Sequence, residues 1–262
     1  LVKKKVKRSR ILVVGGFTID EIEGRVRAGG PPIYSSLGIM RAGGIPKIYA
    51  IVGSDFNFDL EILSNIEKKL IFDDHTIRFK IIISEQNSRK LILLNKVKNR
   101  IISIEDMVDG IIINPVCKEV ELTQINTNVP LALDIQGFIR NCIENDQISY
   151  EKNVYLPQDK RYIVVHGNKE EFELSGLSTD YLFDRGFKEV IVSDGLNGFT
   201  IYNNKGTKYL YKPSRIGKNE VGNGDFLLGA YFTLRLNGLE MQEAGLIAGK
   251  LTEEFSNSEL FL

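Results

Sequence analysis

The sequence is poor in cysteine, histidine, net charge and long apolar runs, and each shortage closes off a class of function. Cys117 and Cys142 are the two cysteines, too few and too far apart to read as a disulfide framework or a pair of metal ligands. Reduced thiols are the expectation. His75 and His166 are the two histidines, which leaves little material for a His-rich zinc site or for Ser-His-Asp hydrolysis. Both are expected to be structural. Lys and Arg number 34 and so do Asp and Glu, so the formal charge of +0 gives no general reason to expect nucleic acid or an anionic membrane as partner. The basic opening, residues 1–10, reads as a solvated terminus. No apolar run approaches the roughly 20 residues needed to span a bilayer, and the start lacks the charged-then-apolar layout of a secretory signal. A cytoplasmic protein is expected. What remains, 262 residues of which 43% are hydrophobic and 26% charged, suits a globular chain with a sizeable core.

Along the chain, residues 10–15 form a short apolar, β-branched run stopped by Gly15 and Gly16, which reads as a buried strand. The spacing that follows is not the G-x-G-x-x-G of a dinucleotide-binding turn, so a Rossmann dehydrogenase is disfavoured. Asp20 stands beyond that strand, where open α/β sheets bind ligands, though a turn-forming Asp explains it as cheaply. Residues 19–28 alternate weakly and suggest an exposed edge strand. Gly29, Gly30, Pro31 and Pro32 then open a helix that Gly43 and Gly44 close. Residues 46–53 read as a strand and 59–70 as a helix. Residues 78–84 and 90–95 suggest a hairpin, either a small lid or an edge of the main sheet. After Gly110, apolar strands at 111–114, 130–134, 162–166 and 189–193 alternate with predicted helices at 120–127, 169–174 and 179–185. That order predicts a doubly wound α/β fold, a mostly parallel sheet with helices on both faces. A hairpin at 198–211 and a final helix at 241–255 complete the chain.

One stretch organises the rest. Residues 217–225, with Gly222, Asn223, Gly224 and Asp225 at their end, run directly into the apolar segment 226–236. Glycines on both sides of Asn223 allow consecutive amides to point into one cavity, and the helix that follows adds its positive end. Asp225 sits at the mouth, where a carboxylate can deprotonate a hydroxyl while the amides hold a phosphoryl group. An ordinary Asn-Gly turn and an Asp cap explain the same residues when the stretch is taken alone.

Taken together, the motifs resemble those of the ribokinase-like (PfkB) carbohydrate kinases, over most of the chain from Ile11 to about Glu254. Gly222-Asn223-Gly224-Asp225 resembles the family's G-A-G-D loop. Gly29-Gly30, the helix after them and Gly43-Gly44 resemble its sugar-binding signature, with 52–55 matching the strand end that follows. Asn168 to Glu171 resembles its N-x-x-E motif. Ser193, Gly195 and Gly198 resemble its T-x-G-x-x-G nucleotide loop, with Ser for Thr. The resemblance implies one kinase domain over 1–262, with a β lid at about 17–28 and 77–95. It implies ATP- and Mg²⁺-dependent phosphoryl transfer to a hydroxyl of a small sugar or inositol-like polyol. Asp225 would be the general base, and the amides of Gly222, Asn223 and Gly224 the anion hole. Asp20, Gly29, Gly30, Tyr34, Arg89 and Asp134 would bind the acceptor. Asn168, Glu171, Ser193, Gly195 and Gly198 would bind the nucleotide, with Glu171 holding the metal through water. A homodimer through the lid is also implied.

The sequence departs from the family pattern in places. Asn219 and Glu220 stand where the family usually has Asp-Thr, and Asn223 replaces a small Ala, which removes an acid from any monovalent-cation site beside the loop. Tyr34 stands where Asn is frequent, so ribose and fructose phosphate are not the default acceptors. The run from Asp134 to Arg140 does not settle the acceptor. A nucleoside kinase of the same family is one alternative, and a non-catalytic nucleotide- or sugar-binding regulator with a degenerate loop is another.

Overall fold

The computed structural model describes residues 8–83, 89–215, 217 and 221–258. Strand β1 (Arg10–Gly16) sends Ile11 and Val13 to one apolar core and Leu12 and Val14 to another, because successive side chains of a strand face opposite ways. A strand buried on both faces belongs in the middle of a sheet. Two short strands follow it, β2 (Thr18–Ile22) and β3 (Arg25–Gly29), joined by Glu23 and Gly24 with φ of 50° and 76°. Helix α1 (Pro31–Arg41), with proline in its first turn, leads to β4 (Ile45–Gly53), β5 (Glu67–Asp73), β6 (Ile77–Ile83), β7 (Arg89–Asn95), β8 (Gly110–Ile113) and β9 (Leu131–Asp134). Helix α2 (Gln136–Ile139) opens a short arm of β10 (Arg140–Asn141), β11 (Asp146–Gln147) and β12 (Ser149–Tyr150). Then come β13 (Tyr162–Asn168), α3 (Lys169–Ser175), α4 (Thr179–Asp184), β14 (Glu189–Ser193), β15 (Phe199–Asn203), β16 (Lys208–Tyr211), α5 (Asn223–Leu236) and α6 (Met241–Ser256).

Nine strands form the main sheet in the order β16-β15-β14-β13-β9-β8-β1-β4-β5. It is parallel from β5 to β14 and antiparallel only at β15 and β16. Helices α1, α5 and α6 cover one face. The α1–α5 crossing is close: a Cβ on Gly38 would meet the Phe226 carbonyl oxygen at 2.1 Å, and one on Gly229 the Ser35 oxygen at 2.3 Å. On the other face, α4 packs beside an irregular stretch that carries Ile101, Ile104, Val120 and Ile125. A second sheet, β11-β7-β6-β2-β3, stands over the carboxyl end of the first and combines both segments of the expected lid with the arm that follows α2. The hairpin at 78–95 is thus not an edge of the main sheet. Residues 84–88, like 1–7, 216, 218–220 and 259–262, lie outside the described residues.

Three expectations are overturned. Residues 59–70 hold only a single 3-10 turn, Glu61–Leu63, before β5 extends the sheet beside β4. Residues 120–127 form no helix; Val120 and Ile125 bridge Ile101 and Ile104 in parallel fashion. Both segments combine β-branched residues with Asn or Thr, weak helix formers that yield when a neighbouring chain offers backbone partners. Cys117 and Cys142 are not reduced thiols; they form a disulfide. The segments after β8 and α2 leave the same edge of two adjacent strands, so cysteines 25 residues apart lie with their Cα atoms 5.8 Å from each other.

Candidate functional site

A cleft of about 790 Å³ runs between the two sheets, at the carboxyl ends of β9, β13 and β14 and the amino end of α5. Open α/β sheets bind ligands in this position, because the turns there are free to vary while the strands fix their ends. Gly222, with φ of 78°, caps α5 in the left-handed region that favours glycine. Gly224 has a different reason to be glycine: a Cβ there would meet His166 Cε1 at 2.6 Å. The chain therefore turns into the helix directly against the imidazole, with the tyrosine ring of Tyr34 beneath Gly222.

Asp225, in the first turn of α5, is held by two side-chain amides. Asn114 Nδ2 donates to its Oδ1 at 2.7 Å and Gln136 Nε2 at 3.1 Å. Gln136 also donates to Asn114 Oδ1 at 2.8 Å, so the three form a closed triangle from β8's end, α2 and α5. Burial, and then the charge of Asp134, push Asp225 up to about 7 against the pull of Asn114, His166 and Arg140. A carboxylate tuned near neutrality can exchange a proton with a hydroxyl.

Beside it runs a second buried chain. Asp134 Oδ2 lies 2.6 Å from His166 Nδ1, and His166 Nε2 lies 3.1 Å from Ser193 Oγ. Burial favours the neutral imidazole, but the charges of Asp134, Glu171 and Asp225 outweigh it and raise His166 above its ordinary pKa. Asn168 and Glu171 close a capping box at the start of α3, each accepting from the other's backbone N–H at 2.8 and 2.9 Å. Glu171 Oε1 is left 3.6 Å from Arg140 Nη2, and burial raises its pKa. This donor set suits a cation held through water. Among the described residues no three His, Cys, Asp or Glu side chains cluster as direct metal ligands. Ser193, Gly195 and Gly198 line the cleft at the end of β14, where Gly195 has open space around it.

At the other end, Asp20 on β2 is buried, which pushes it up to about 6 against the Thr18 hydrogen bond and the charges of Arg27 and Arg140. Phe79, Ile81, Leu91, Ile148 and Tyr150 make an apolar wall opposite. Of the residues expected here, Asp20, Gly30, Tyr34, Asp134, Asn168, Glu171, Ser193, Gly195, Gly198 and the loop from Gly222 to Asp225 line one cleft. Gly29 does not: it lies behind Asp20, where a Cβ would meet Asp20 Oδ2 at 2.3 Å. Arg89 begins β7, but its side chain falls outside those described. The sequence reading missed Asn114, Gln136 and Glu119, and it assigned His166 a purely structural place. Glu119 is buried and accepts from the Val116 and Cys117 amides at 2.7 Å each, which fixes the loop bearing Val116 on the cleft wall. A polar residue closing an apolar strand, as Asn114 and His166 do, was the one available signal.

No family model and no curated protein matches the sequence. Solved structures match across almost the whole chain. A pyrophosphate-dependent kinase in the ribokinase family, complexed with a pyrophosphate analog and myo-inositol, shares 16% identity over 93% of this chain and 94% of its own, with a TM-score of 0.72. The nucleoside kinase of Methanocaldococcus jannaschii shares 19% over 97% and 93%, with a TM-score of 0.70. Ribokinase from Cryptococcus neoformans, in complex with ADP, shares 18% over 96% and 94%, with a TM-score of 0.71. The chain has the ribokinase-like fold.

Proposed function

We propose that the protein is a small-molecule kinase that transfers the terminal phosphoryl group of ATP to a hydroxyl of a sugar or cyclic polyol. The observation that carries this reading is Asp225, pinned by Asn114 and Gln136 at the amino end of α5 and facing the shared cleft. Asp225 takes the proton of the acceptor hydroxyl as its oxygen bonds to the terminal phosphorus. The bond from that phosphorus to the bridging oxygen breaks, and ADP leaves with the electron pair. Amides of the loop from Gly222 to Gly224 and the end of α5 stabilise the charge on the phosphoryl oxygens. Glu171 would hold a magnesium ion through water, and that ion would supply positive charge against the donor phosphates.

The acceptor end combines a carboxylate, Asp20, with an apolar wall. That pairing suits a molecule with a hydroxyl-rich edge and a flat C–H face, as a cyclitol has; a nucleoside offers the same two surfaces. Neighbours whose names include myo-inositol and nucleoside support both classes, and the ADP complex supports ATP as donor. The pyrophosphate-dependent neighbours make pyrophosphate the second donor to test.

The experiment is acceptor-dependent phosphoryl transfer over a panel of sugars, cyclitols and nucleosides with ATP or pyrophosphate and Mg²⁺. Asp225→Asn is expected to lower kcat by roughly 10²–10⁴-fold with little change in donor affinity. A variant with normal turnover would refute the assigned base. Donor binding without transfer to any acceptor would favour a non-catalytic regulator.

A further inference from the structure

The run from Asp134 to Arg140 places three side chains in the cleft. Asp134 pairs with His166 and Gln136 holds Asp225, while Arg140 has a looser set of partners among the described residues: an ion pair with Glu171 and the face of the Phe79 ring, 6.0 Å from its guanidinium carbon. Its guanidinium is mostly buried, with 12% of the side chain exposed. Nη1 donates to the Val116 carbonyl at a long 3.4 Å, Nη2 stands 3.6 Å from Glu171 Oε1, beyond hydrogen-bonding range, and Nε is buried without a partner. Buried guanidinium groups normally have their donors satisfied. Among the described residues, the five N–H groups have one long hydrogen bond and one ion pair beyond hydrogen-bonding range.

The surroundings indicate what would satisfy them. Arg140 stands against Glu171 at the donor end, and its charge reaches Asp225 on α5 and Asp20 on β2. It therefore lies between the two halves of the cleft. Asp20, Asp134, Glu171 and Asp225 crowd this region with carboxyl groups, a poor host for a polyanion unless a cation accompanies it. Among the described residues lining the cleft, Lys169 and Arg215 are exposed at its rim, while Arg140 is inside. The loop amides approach from the α5 side and Arg140 from the α2 side. A planar fork of donors fits the oxygens of a phosphoryl group in transit, whose charge spreads over those oxygens.

Resting on the kinase reading, we propose that Arg140 is a further catalytic residue, whose guanidinium binds the phosphoryl group as it passes from donor to acceptor. Arg140→Lys and Arg140→Ala are expected to lower kcat by roughly 10²–10³-fold, as loss of a preorganised donor does, with the acceptor KM changed less than about threefold. Guanidinium ion at millimolar concentration should restore part of the Arg140→Ala rate and none of the Asp225→Asn rate. Because Arg140→Ala leaves Glu171 buried without its counter-ion, Arg140→Gln/Glu171→Gln is compared with Glu171→Gln alone. The double variant should turn over at least tenfold more slowly than the single one. A raised acceptor KM at unchanged kcat would assign Arg140 to the acceptor instead. A rate loss that follows thermal stability, without guanidinium rescue, would make it structural. If the wild-type chain transfers no phosphoryl group, the kinase reading fails by itself, and Arg140 is judged by calorimetric binding of inorganic pyrophosphate. Affinity at least tenfold weaker in the double variant than in Glu171→Gln supports the anion site, and equal affinity overturns it.

Discussion

At the scale of single residues, the cleft keeps its carboxyl groups largely out of water. Asp225 is pushed up to about 7, mainly by burial. If it is the base, it works only when deprotonated, so kcat/KM is expected to rise with pH through about 7 and then level off. A rate-against-pH profile of the purified protein checks this, and a profile already flat by pH 5 contradicts it. The same shift bears on folding, and its sign is opposite to that of a salt-bridged acid. A folded-state pKa above the unfolded value means that the folded form holds its proton more tightly. This contribution to stability is full below the unfolded value of 3.8 and lost as pH rises through about 7. Asp225→Asn should therefore melt higher than the parent at pH 8, by about 2–4 °C for each kcal/mol relieved, and the gap should narrow by pH 5. Parallel melts of the two proteins at both pH values test it. Gly222, Gly224 and Asp225 were legible because their signal is local, a turn running into an apolar helix. Asn114, Gln136 and His166 were not, because each is a single polar residue whose meaning arises from a partner 22 or more positions away.

Secondary-structure elements carry the site through two close approaches. Helix α5 must reach the cleft with its amino end while its body crosses α1, and Gly38 and Gly229 let the helices meet backbone to backbone. Gly229→Ala would drive a methyl to 2.3 Å from the Ser35 oxygen. Overpacking of this kind costs about 1–3 kcal/mol, so denaturant midpoints should fall without a change in slope. Ser35 also donates to the Asp225 carbonyl at 3.1 Å, so displacing α1 should slow turnover as well as weaken the fold. Strands were readable wherever an apolar run was bounded by glycine or polar residues. The two failures, 59–70 and 120–127, share a cause: their backbones take partners from other segments, Glu67–Asp73 beside β4 and 120–127 beside Ile101 and Ile104. Local propensity does not record such pairing.

For the whole molecule, the question is what holds the second sheet over the first. The arm after α2 does so at both ends. Its tip pairs with β7, Asp146 opposite Leu93 and Gln147 opposite Ile92, and its base is tied to the segment after β8 by the Cys117–Cys142 disulfide. Closing a loop of 25 residues is worth about 3.5 kcal/mol on chain-entropy grounds. Thermal melts with and without a dithiol reductant, and of Cys117→Ser/Cys142→Ser, are expected to fall by roughly 7–14 °C. Identical melts would show that the arm is held by its packing alone.

The sequence by itself determined most of the order of strands and helices, apart from 59–70 and 120–127, together with the alternation that makes a buried parallel sheet and the glycine-rich turn that begins α5. These are properties of neighbours in the chain, set by dihedral preference and by periodicities of two and 3.6 residues. Only the tertiary structure decided which polar residues face one another. Sheet order places β8, β9, β13 and β14 side by side, so that Asn114, Asp134, His166 and Ser193 end at one edge, although 79 positions separate the first from the last. It also brought the two cysteines together and turned Arg140 inward among carboxylates. Long-range contacts of this kind arise when burial of apolar faces fixes the packing of whole elements, and no local pattern encodes their outcome.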